Sequence, residues 1–234
     1  LKISFPSAYK SQNNLSLDSI KYFTSFKYEE SPYANMDFPE IGNIDLFNIV
    51  DKPKANSSKQ TLNELQYISK LSNNRSQKDI NLIYIVDKNP INLYDPIIKK
   101  HKLEFDYQLF YKIYNTCLLS IIGHLKFYYN RARPFQIAEA LDIKINRIVT
   151  KTHHTPSYPS GHTMYAALIA ELLIDRYPDH KSKIESITKQ VGLGRVLQGV
   201  HYPSDNIASI QIVKSLFPNL KKYFTESKWA IKEY

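Results

Sequence analysis

Residues 105–129 contain no proline, and their apolar side chains recur with the period of an α-helix. This spacing gathers the apolar side chains on one face, which must be buried against other elements. We therefore predict one long central helix over this stretch. Lys126 lies near the C-terminal end of this helix, so the helix places a positive charge at that end of the fold.

Helical periodicity also covers most of the chain on either side. Pro178 ends one apolar stretch, and Pro203 suits the first turn of another helix, where proline is tolerated. Residues 78–86 fit either a short strand or a buried helix. Further helices are predicted over residues 61–71, 135–141, 161–177, 180–197 and 203–216. The sequence thus predicts an all-α fold, a single-domain helical bundle of about six core helices.

The first 58 residues lack this periodicity. Asn and Ser clusters alternate with short aromatic pieces, and prolines punctuate them. The prolines are Pro6, Pro32, Pro39 and Pro53. We predict an irregular N-terminal arm over residues 1–58, ending in a helix N-cap at Ser58. The arm packs on a helical body over residues 59–234, and the two form one domain overall.

The charge balance favours anionic partners. The chain carries 31 Lys and Arg against 22 Asp and Glu, a formal net charge of +9. Acidic substrates and acidic membrane surfaces both fit such a balance. No compact basic run with interleaved aromatic residues is present, so we expect no nucleic-acid partner. Weak contact with a membrane surface and homo-oligomerisation both stay open.

The single cysteine, Cys117, lies in an apolar run and is expected to be a buried, inert thiol. No apolar run reaches the ~18–20 residues that cross a bilayer, and no signal peptide is visible. We therefore expect a soluble protein. The chain begins at Leu1 rather than Met. A secreted or periplasmic location would follow if a leader were removed before Leu1.

Three short segments carry the chemistry. Together they supply fixed positive charge, a glycine turn, two histidines, and an aspartate one helical turn past the second histidine. This is the inventory for phosphoryl transfer through a covalent phosphohistidine, with no metal required. The segments are, in order, Lys126-x6-Arg133-Pro134, Pro159-Ser160-Gly161-His162 and Arg195-x5-His201-x3-Asp205.

The charged and backbone groups of these segments suit a phosphate. Phosphoryl transfer depends mostly on positioning and on stabilising charge on the equatorial oxygens. Lys126, Arg133 and Arg195 would provide that charge, and arginine grips phosphate oxygens through paired hydrogen bonds. Ser160 and Gly161 stand where a loop enters a helix, where we expect free amides that bind anions.

The two histidines divide the chemical steps. His201 is the predicted nucleophile, because a neutral imidazole can attack phosphorus with one nitrogen while the other donates to a carboxylate. Asp205 lies four residues on and would set the tautomer and stabilise the charged ring. His162 is the predicted general acid, which protonates the leaving oxygen and then activates water. We expect the best activity at mildly acidic pH, where His162 can be protonated.

The three segments resemble the type 2 phosphatidic acid phosphatase and vanadium haloperoxidase superfamily over roughly residues 120–210. The stretch 157–163, Ser-Tyr-Pro-Ser-Gly-His-Thr, is most similar to soluble class A acid phosphatases. The resemblance implies the same roles for the same positions. The family usually carries a serine just before the arginine of the third segment, where this chain has Gly194. We expect this departure to remove one hydrogen bond, either to phosphate or to a residue that contacts it, which a serine would restore, while the Gly194 amide could still donate.

The leading interpretation is therefore an acid phosphatase acting on a small phosphorylated substrate without a metal or a resident cofactor. Vanadate, which mimics phosphate, could occupy the same site. A vanadium haloperoxidase is one alternative, although such enzymes are usually much longer. Others are a lipid-phosphate phosphatase acting at the membrane surface and a binding module that retains the phosphate cradle.

Three further residues stand close to the motifs. His153 and His154 could line the mouth of the pocket or bind a metal, but an HH pair in a loop is more often solvent-exposed, and we expect this of both. Arg131 could add to the phosphate contacts, but we expect it to lie on the surface. No acidic residues show the spacing of paired metal ligands.

Overall fold

The computed structural model describes residues 16–226, which form an all-α fold. Within this range there is no β-strand, and Lys21 and Arg131 form an isolated bridge. The all-α prediction is confirmed. The α-helices are α1 (Lys59–Asn73), α2 (Gln77–Lys88), α3 (Asp95–His101), α4 (Tyr107–Ile113), α5 (Leu119–Tyr129), α6 (Pro134–Ala140), α7 (Gly161–Arg176), α8 (Lys181–Leu197) and α9 (Pro203–Glu226).

Local capping explains where the first two helices begin. The Ser58 hydroxyl accepts a hydrogen bond from the Thr61 amide, as the predicted N-cap requires. Ser76 and Asp79 form a reciprocal capping box at the start of α2. Residues 78–86, compatible with two structures in the sequence, therefore lie in a helix.

The predicted central helix over residues 105–129 is not a regular α-helix. A π-helical turn at Tyr114–Leu118 separates α4 from α5. Cys117 and Leu118 of this turn are buried, so core packing holds it. Burial also raises the pKa of the Cys117 thiol, in keeping with the predicted inert side chain. Lys126 lies in the last turn of α5, as predicted.

The last helix extends ten residues beyond the predicted end at Leu216, through Pro218. Leu220 and Phe224, past the proline, are buried in the main core. Burying this apolar face outweighs the hydrogen bond that proline removes. Helix α3, which has Pro96 in its first turn, was not predicted at all.

Helix α7 lies at the centre of the fold and packs against α8 and α9. Its buried face includes the small residues Ala166, Ala167 and Ala170, which allow neighbouring helices to approach closely. A second apolar cluster joins α1, α6 and the end of α8. Four helix ends consequently meet: the C-termini of α5 and α8 and the N-termini of α7 and α9.

Residues 16–58 contain short 3-10 turns and pack on α5. The Phe23 and Tyr33 rings each stack on Phe127, and the His124 imidazole contacts the Tyr28 hydroxyl. The rest of the predicted arm, residues 1–15, lies outside the described residues, as do residues 227–234 of the predicted body. No helix within residues 16–226 combines the length and the apolar character needed to span a membrane.

Candidate active site

His201 and Asp205 form a buried pair at the start of α9. The His201 Nδ1 atom lies 3.0 Å from Oδ2 of Asp205, and both side chains are at most 2% exposed. Asp205 is the third residue of α9, and its Oδ2 also accepts the Tyr202 amide at 3.0 Å. This contact caps the helix, so the same bond that begins α9 aims the carboxylate at the imidazole.

The Asp205 carboxylate is fully enclosed by donors. Its Oδ2 accepts the Ser157 hydroxyl at 2.6 Å, and its Oδ1 accepts Nη1 of Arg131 at 2.6 Å. Burial alone would raise the pKa of Asp205, but Arg131 and the hydrogen bonds from His201 and Ser157 hold it well below its usual range. The carboxylate is therefore ionised and fixes His201 in the tautomer that carries its proton on Nδ1.

The prediction that Arg131 lies on the surface is wrong. Arg131 is 4% exposed, and besides Asp205 its guanidinium contacts the Tyr202 ring, 3.9 Å from the ring centroid. The Glu64 carboxylate on α1 lies 3.8 Å away. The buried Asp205 charge requires a counter-ion, and Arg131 provides it.

The second ring nitrogen of His201 faces Arg133. Nη1 of Arg133 lies 3.0 Å from Nε2 of His201 and 2.7 Å from the Val200 carbonyl oxygen. Burial, and next Arg133, lower the pKa of His201 well below its usual value, so the imidazole is neutral. Burial and the nearby Arg195 in turn lower the pKa of Arg133 to about 9. Nε2 therefore carries the lone pair.

Lys126 is 6% exposed and donates to the Pro156 carbonyl oxygen at 2.5 Å. Burial and the Arg133 charge lower its pKa well below the usual value. Neither Lys126 nor Arg133 has a carboxylate partner within residues 16–226. Their acceptors are carbonyl oxygens and an imidazole. Two buried basic groups without a carboxylate in contact would be stabilised in their charged forms by an anion beside His201.

Ser160 and Gly161 open α7, but the expectation for Ser160 needs correction. The Ser160 amide donates to the Ser209 hydroxyl at 2.8 Å, and the Ser160 hydroxyl pairs with Thr163 at 3.0 Å. Neither group is free for an anion. The first-turn amides that begin at Gly161 lack intrahelical acceptors, however, and no side chain of residues 16–226 caps them. A Cβ at Gly161 would lie 3.9 Å from Cε of Lys126, which brings this helix end next to the lysine.

His162 follows in the first turn of α7 and is partly buried. Burial, and next the Arg195 charge, lower its pKa to about 3, against the opposing effect of Asp87. His162 is therefore neutral at the mildly acidic pH at which it was expected to be protonated. A bound anion would oppose the effect of the cations and raise this pKa.

Arg195 lies in the last turn of α8 and has no solvent exposure. Nη1 of Arg195 donates to Oδ1 of Asp87 at 2.9 Å, and Nη2 donates to the Thr152 hydroxyl at 3.2 Å. Burial lowers the pKa of Arg195, and Asp87 partly offsets this. Asp87 belongs to no motif, and the sequence gives no signal for it.

Gly194 does not face the phosphate site. A Cβ at this position would lie 2.9 Å from Cγ2 of Val86 on α2, so a serine would point into the core between two helices. Gly194 also lies inside α8, where its amide belongs to the helical hydrogen-bond pattern. Neither the restored hydroxyl nor the free amide expected from the sequence is therefore available to phosphate.

The two adjacent histidines of the loop, His153 and His154, differ in exposure. His154 is exposed, as expected, but His153 is only 3% exposed, so the expectation is wrong for this residue. Burial and the nearby Arg133 lower the pKa of His153 to about 4. Its carbonyl oxygen accepts the Tyr22 hydroxyl at 3.4 Å, which ties the loop to the N-terminal arm.

The structure thus brings residues of all three motifs to one place, where four helix ends meet. Sequence reasoning missed Ser157 and Asp87 and misjudged Arg131. Ser157 could have been found within the quoted stretch 157–163, but it was not given a role. Within residues 16–226, no three His, Cys, Asp or Glu side chains are grouped closely enough to hold a metal ion. The catalytic and binding roles of the motif residues stay predictions.

Comparison with known proteins agrees with the motifs. Residues 108–213 match the PAP2 superfamily. Non-specific acid phosphatases of Salmonella typhimurium and Salmonella typhi are each 34% identical over 80 residues, which is 34% of this chain and 32% of theirs. The match thus spans about a third of the length of these curated relatives.

Among solved structures, a transmembrane PAP2-type phosphatidylglycerolphosphate phosphatase from Bacillus subtilis aligns with a TM-score of 0.48 and 22% identity. The alignment covers 75% of this chain and 92% of that one. All three motifs lie within the segment that matches the family. The family resemblance deduced from the motifs is confirmed by the match of residues 108–213 to the PAP2 superfamily.

Proposed function

We propose that this chain hydrolyses phosphomonoesters through a phosphohistidine on His201, without a metal ion. The observation that carries this proposal is the pair of buried basic side chains, Lys126 and Arg133, which have no carboxylate partner among the described residues and lie beside a neutral imidazole. A phosphate would supply the missing negative charge. The similarity to non-specific acid phosphatases supports the same class of reaction.

In the first step, the phosphate displaces Arg133 from Nε2 of His201, and its oxygens take up donors from Arg133, Lys126 and the first-turn amides of α7. Nε2 then attacks phosphorus, and the bond between phosphorus and the leaving oxygen breaks. His162 gives its proton to that oxygen, so the leaving group departs as an alcohol. Asp205 stabilises the positive charge that develops on the His201 ring.

In the second step, the neutral His162 takes a proton from water, and the oxygen attacks the phosphorus of the phosphohistidine. The bond between phosphorus and Nε2 breaks, and the electron pair returns to His201. Inorganic phosphate leaves, and His162 releases its proton as the site returns to the free enzyme, in which the ring is neutral. Arg195 and Lys126 stabilise the charge on the equatorial oxygens in both steps.

In this scheme, the low pKa of His162 makes its protonation depend on the bound phosphate. At mildly acidic pH His162 is neutral in the free enzyme, because burial and Arg195 lower its pKa to about 3. A bound phosphate dianion offsets those cations and allows the ring to hold a proton. The general acid is therefore charged mainly when a substrate is present to use it.

The proposal is tested with purified protein and p-nitrophenyl phosphate from pH 4.5 to 9, with and without a chelator and orthovanadate. We expect turnover that resists the chelator and is inhibited competitively by vanadate. His201→Ala should abolish it, whereas the control His180→Ala, a histidine in the turn before α8 and distant from the motifs, should keep it. The proposal fails if no phosphomonoester is hydrolysed or if His201→Ala retains the normal rate.

Trapping the intermediate tests the mechanism separately. Phosphohistidine is hydrolysed in acid but is stable in alkali, so a 32P-labelled substrate should leave label on the protein only after an alkaline quench. With p-nitrophenyl phosphate, whose leaving group departs without a general acid, His162→Ala should accumulate this label, because its removal needs the base. Turnover without any label on His201 would favour direct attack by water instead.

A further inference from the structure

Asp87, the penultimate residue of α2, lies outside the three motifs but contacts the site they form. Its Oδ1 accepts hydrogen bonds from Nη1 of Arg195 at 2.9 Å and from the Thr150 hydroxyl at 2.8 Å. The Thr152 hydroxyl donates to the same oxygen. One carboxylate therefore joins α2, α8 and the loop that precedes the second motif.

Arg195 depends on this contact for its orientation. Within residues 16–226, Asp87 is the carboxylate with which Arg195 forms an ion pair, and the Arg195 side chain is fully buried. Nη2 of Arg195 is held by Thr152, while Nε has no hydrogen-bond partner among the described residues. A buried guanidinium that lost its carboxylate would have neither compensation nor a fixed rotamer.

The loop is held from two sides. Nε2 of Gln198, just past the end of α8, donates to the Ile148 carbonyl oxygen at 3.1 Å and to the Thr150 hydroxyl at 3.0 Å. Asp87 holds Thr150 from the side of α2. The loop then continues to Thr155 and Pro156, whose carbonyl oxygens accept Arg133 and Lys126. Asp87 thus supports a wall of the phosphate site as well as one of its cations.

We propose that Asp87 is a positioning residue of the phosphate site, which holds Arg195 and residues 148–153 in a single arrangement beside His162. The inference rests on the proposed function, because it assigns to Arg195 the task of binding the transferred phosphoryl group. Asp87 itself carries a negative charge and does not bind phosphate. It acts through the guanidinium that does.

The charges around His162 are consistent with this arrangement. The groups that face it are Arg195 from α8, Asp87 from α2 and Lys126 from α5, and only Asp87 raises its pKa. Replacing Asp87 by a neutral residue should therefore lower the pKa of His162 further. A purely structural role at the end of α2 would leave that pKa unchanged.

The first test is the kinetics of Asp87→Asn and Thr152→Val. Misplacing a catalytic group costs up to about 100-fold in rate, so we expect kcat of Asp87→Asn to fall between about 10- and 100-fold. The loss should fall on kcat more than on KM, because Arg195 stabilises the charge on the equatorial oxygens while Lys126 and Arg133 still bind the phosphate. Thr152→Val, which keeps the side-chain shape, should reduce kcat in the same direction by a smaller factor and covers the case in which Asp87→Asn does not fold.

The matched control is Asp79→Asn, which weakens the capping box at the other end of the same helix. It should lower the stability of the fold and leave kcat unchanged. A folded Asp87→Asn variant with wild-type kcat would overturn the proposal. So would an equal loss of kcat in Asp79→Asn, because the effect would then be that of a weakened α2.

The second test is an NMR titration of the His162 ring in the wild type, Asp87→Asn and Asp79→Asn. The proposal expects a lower His162 pKa in Asp87→Asn alone, and an unchanged value there contradicts it. This measurement does not need turnover. If the wild type hydrolysed no phosphomonoester, the proposed function would fail, while the titration would still decide whether Asp87 acts on the site.

Discussion

Nη1 of Arg131 lies 2.6 Å from Oδ1 of Asp205, and neither side chain is more than 3% exposed. An arginine inside the first motif segment therefore neutralises the aspartate of the third. This pair separates two kinds of arginine that stand two residues apart. The Arg133 guanidinium contacts the His201 imidazole, whereas the Arg131 guanidinium contacts the Asp205 carboxylate.

Replacing Arg131 by Gln should destabilise the fold strongly, because the Asp205 charge would remain buried without a counter-ion. Breaking such a pair costs about 3–5 kcal/mol of the free energy of unfolding. Urea denaturation at pH 7 measures this. The control is Arg176→Gln, which breaks the exposed pair with Glu104 and should cost no more than about 1 kcal/mol. Equal losses in the two variants would contradict the assignment.

Asp205→Asn should reduce kcat by up to about 10⁴-fold, because the amide no longer fixes the proton on Nδ1 of His201 or stabilises the charged ring. KM should change little, since Asp205 has no contact with the phosphate. Steady-state kinetics show this split. Asp175→Asn, which removes an exposed carboxylate paired with Lys221, is the comparison and should behave as the wild type. A variant with raised KM and normal kcat would place Asp205 in substrate binding instead.

The acid limb of kcat/KM should lie below pH 6.5. Burial and Arg133 lower the pKa of His201, so its ring stays neutral and nucleophilic as the pH falls through the usual histidine range. Arg133→Gln removes the positive charge that lowers the pKa of His201. The acid limb should therefore move to higher pH, although the absolute rate falls. pH–rate profiles of both proteins measure the shift. An acid limb near pH 6.5 in the wild type would mean that burial and Arg133 do not lower the pKa of His201.

Gly194 and Gly161 should respond in opposite ways to alanine. At Gly194 the added Cβ would lie 2.9 Å from Cγ2 of the buried Val86, and such overpacking costs about 1–3 kcal/mol. At Gly161 the nearest atom is 3.5 Å away, so the fold should tolerate the methyl group. The methyl group would, however, stand between Lys126 and the first-turn amides of α7 and should weaken phosphate binding.

Thermal unfolding and KM, measured on both alanine variants, test this contrast. Gly194→Ala should melt at a lower temperature, and Gly161→Ala should show a higher KM at an unchanged melting temperature. A stable Gly194→Ala or Gly194→Ser protein with tighter phosphate binding would restore the expectation drawn from the sequence.

What the sequence predicted well is local. The contact between His201 and Asp205, four residues apart, follows if the chain becomes helical at Pro203. The position of Lys126 follows if its helix continues to Tyr129. Contacts over long separations in sequence gave no such signal. Arg195 and Asp87 are 108 residues apart, and Arg131 and Asp205 are 74 apart. Nothing in either neighbourhood indicates which helices will meet.

The errors have a common physical reason. The direction in which Gly194 faces depends on α2, which could not be distinguished from a strand. The Ser160 amide is occupied because α9 brings Ser209 to it, and no local pattern predicts that contact. Motif matching identified which residues gather at the site. The partners that occupy their donors and acceptors emerge only from the way in which the helices pack.

The π-helical turn at Tyr114–Leu118 sets the rotation of the helix that follows it. A π turn holds one residue more than an α turn, and each residue of an α-helix turns the chain by about 100°. If the five residues Tyr114–Leu118 formed a regular α-helix instead, each would turn the chain further, and α5 would be rotated relative to α4 by most of that angle. Either the buried face of α4 or Lys126 would then point to the wrong side. The register of the first motif is therefore fixed by an irregularity eight residues before it, in a segment that takes no part in the chemistry.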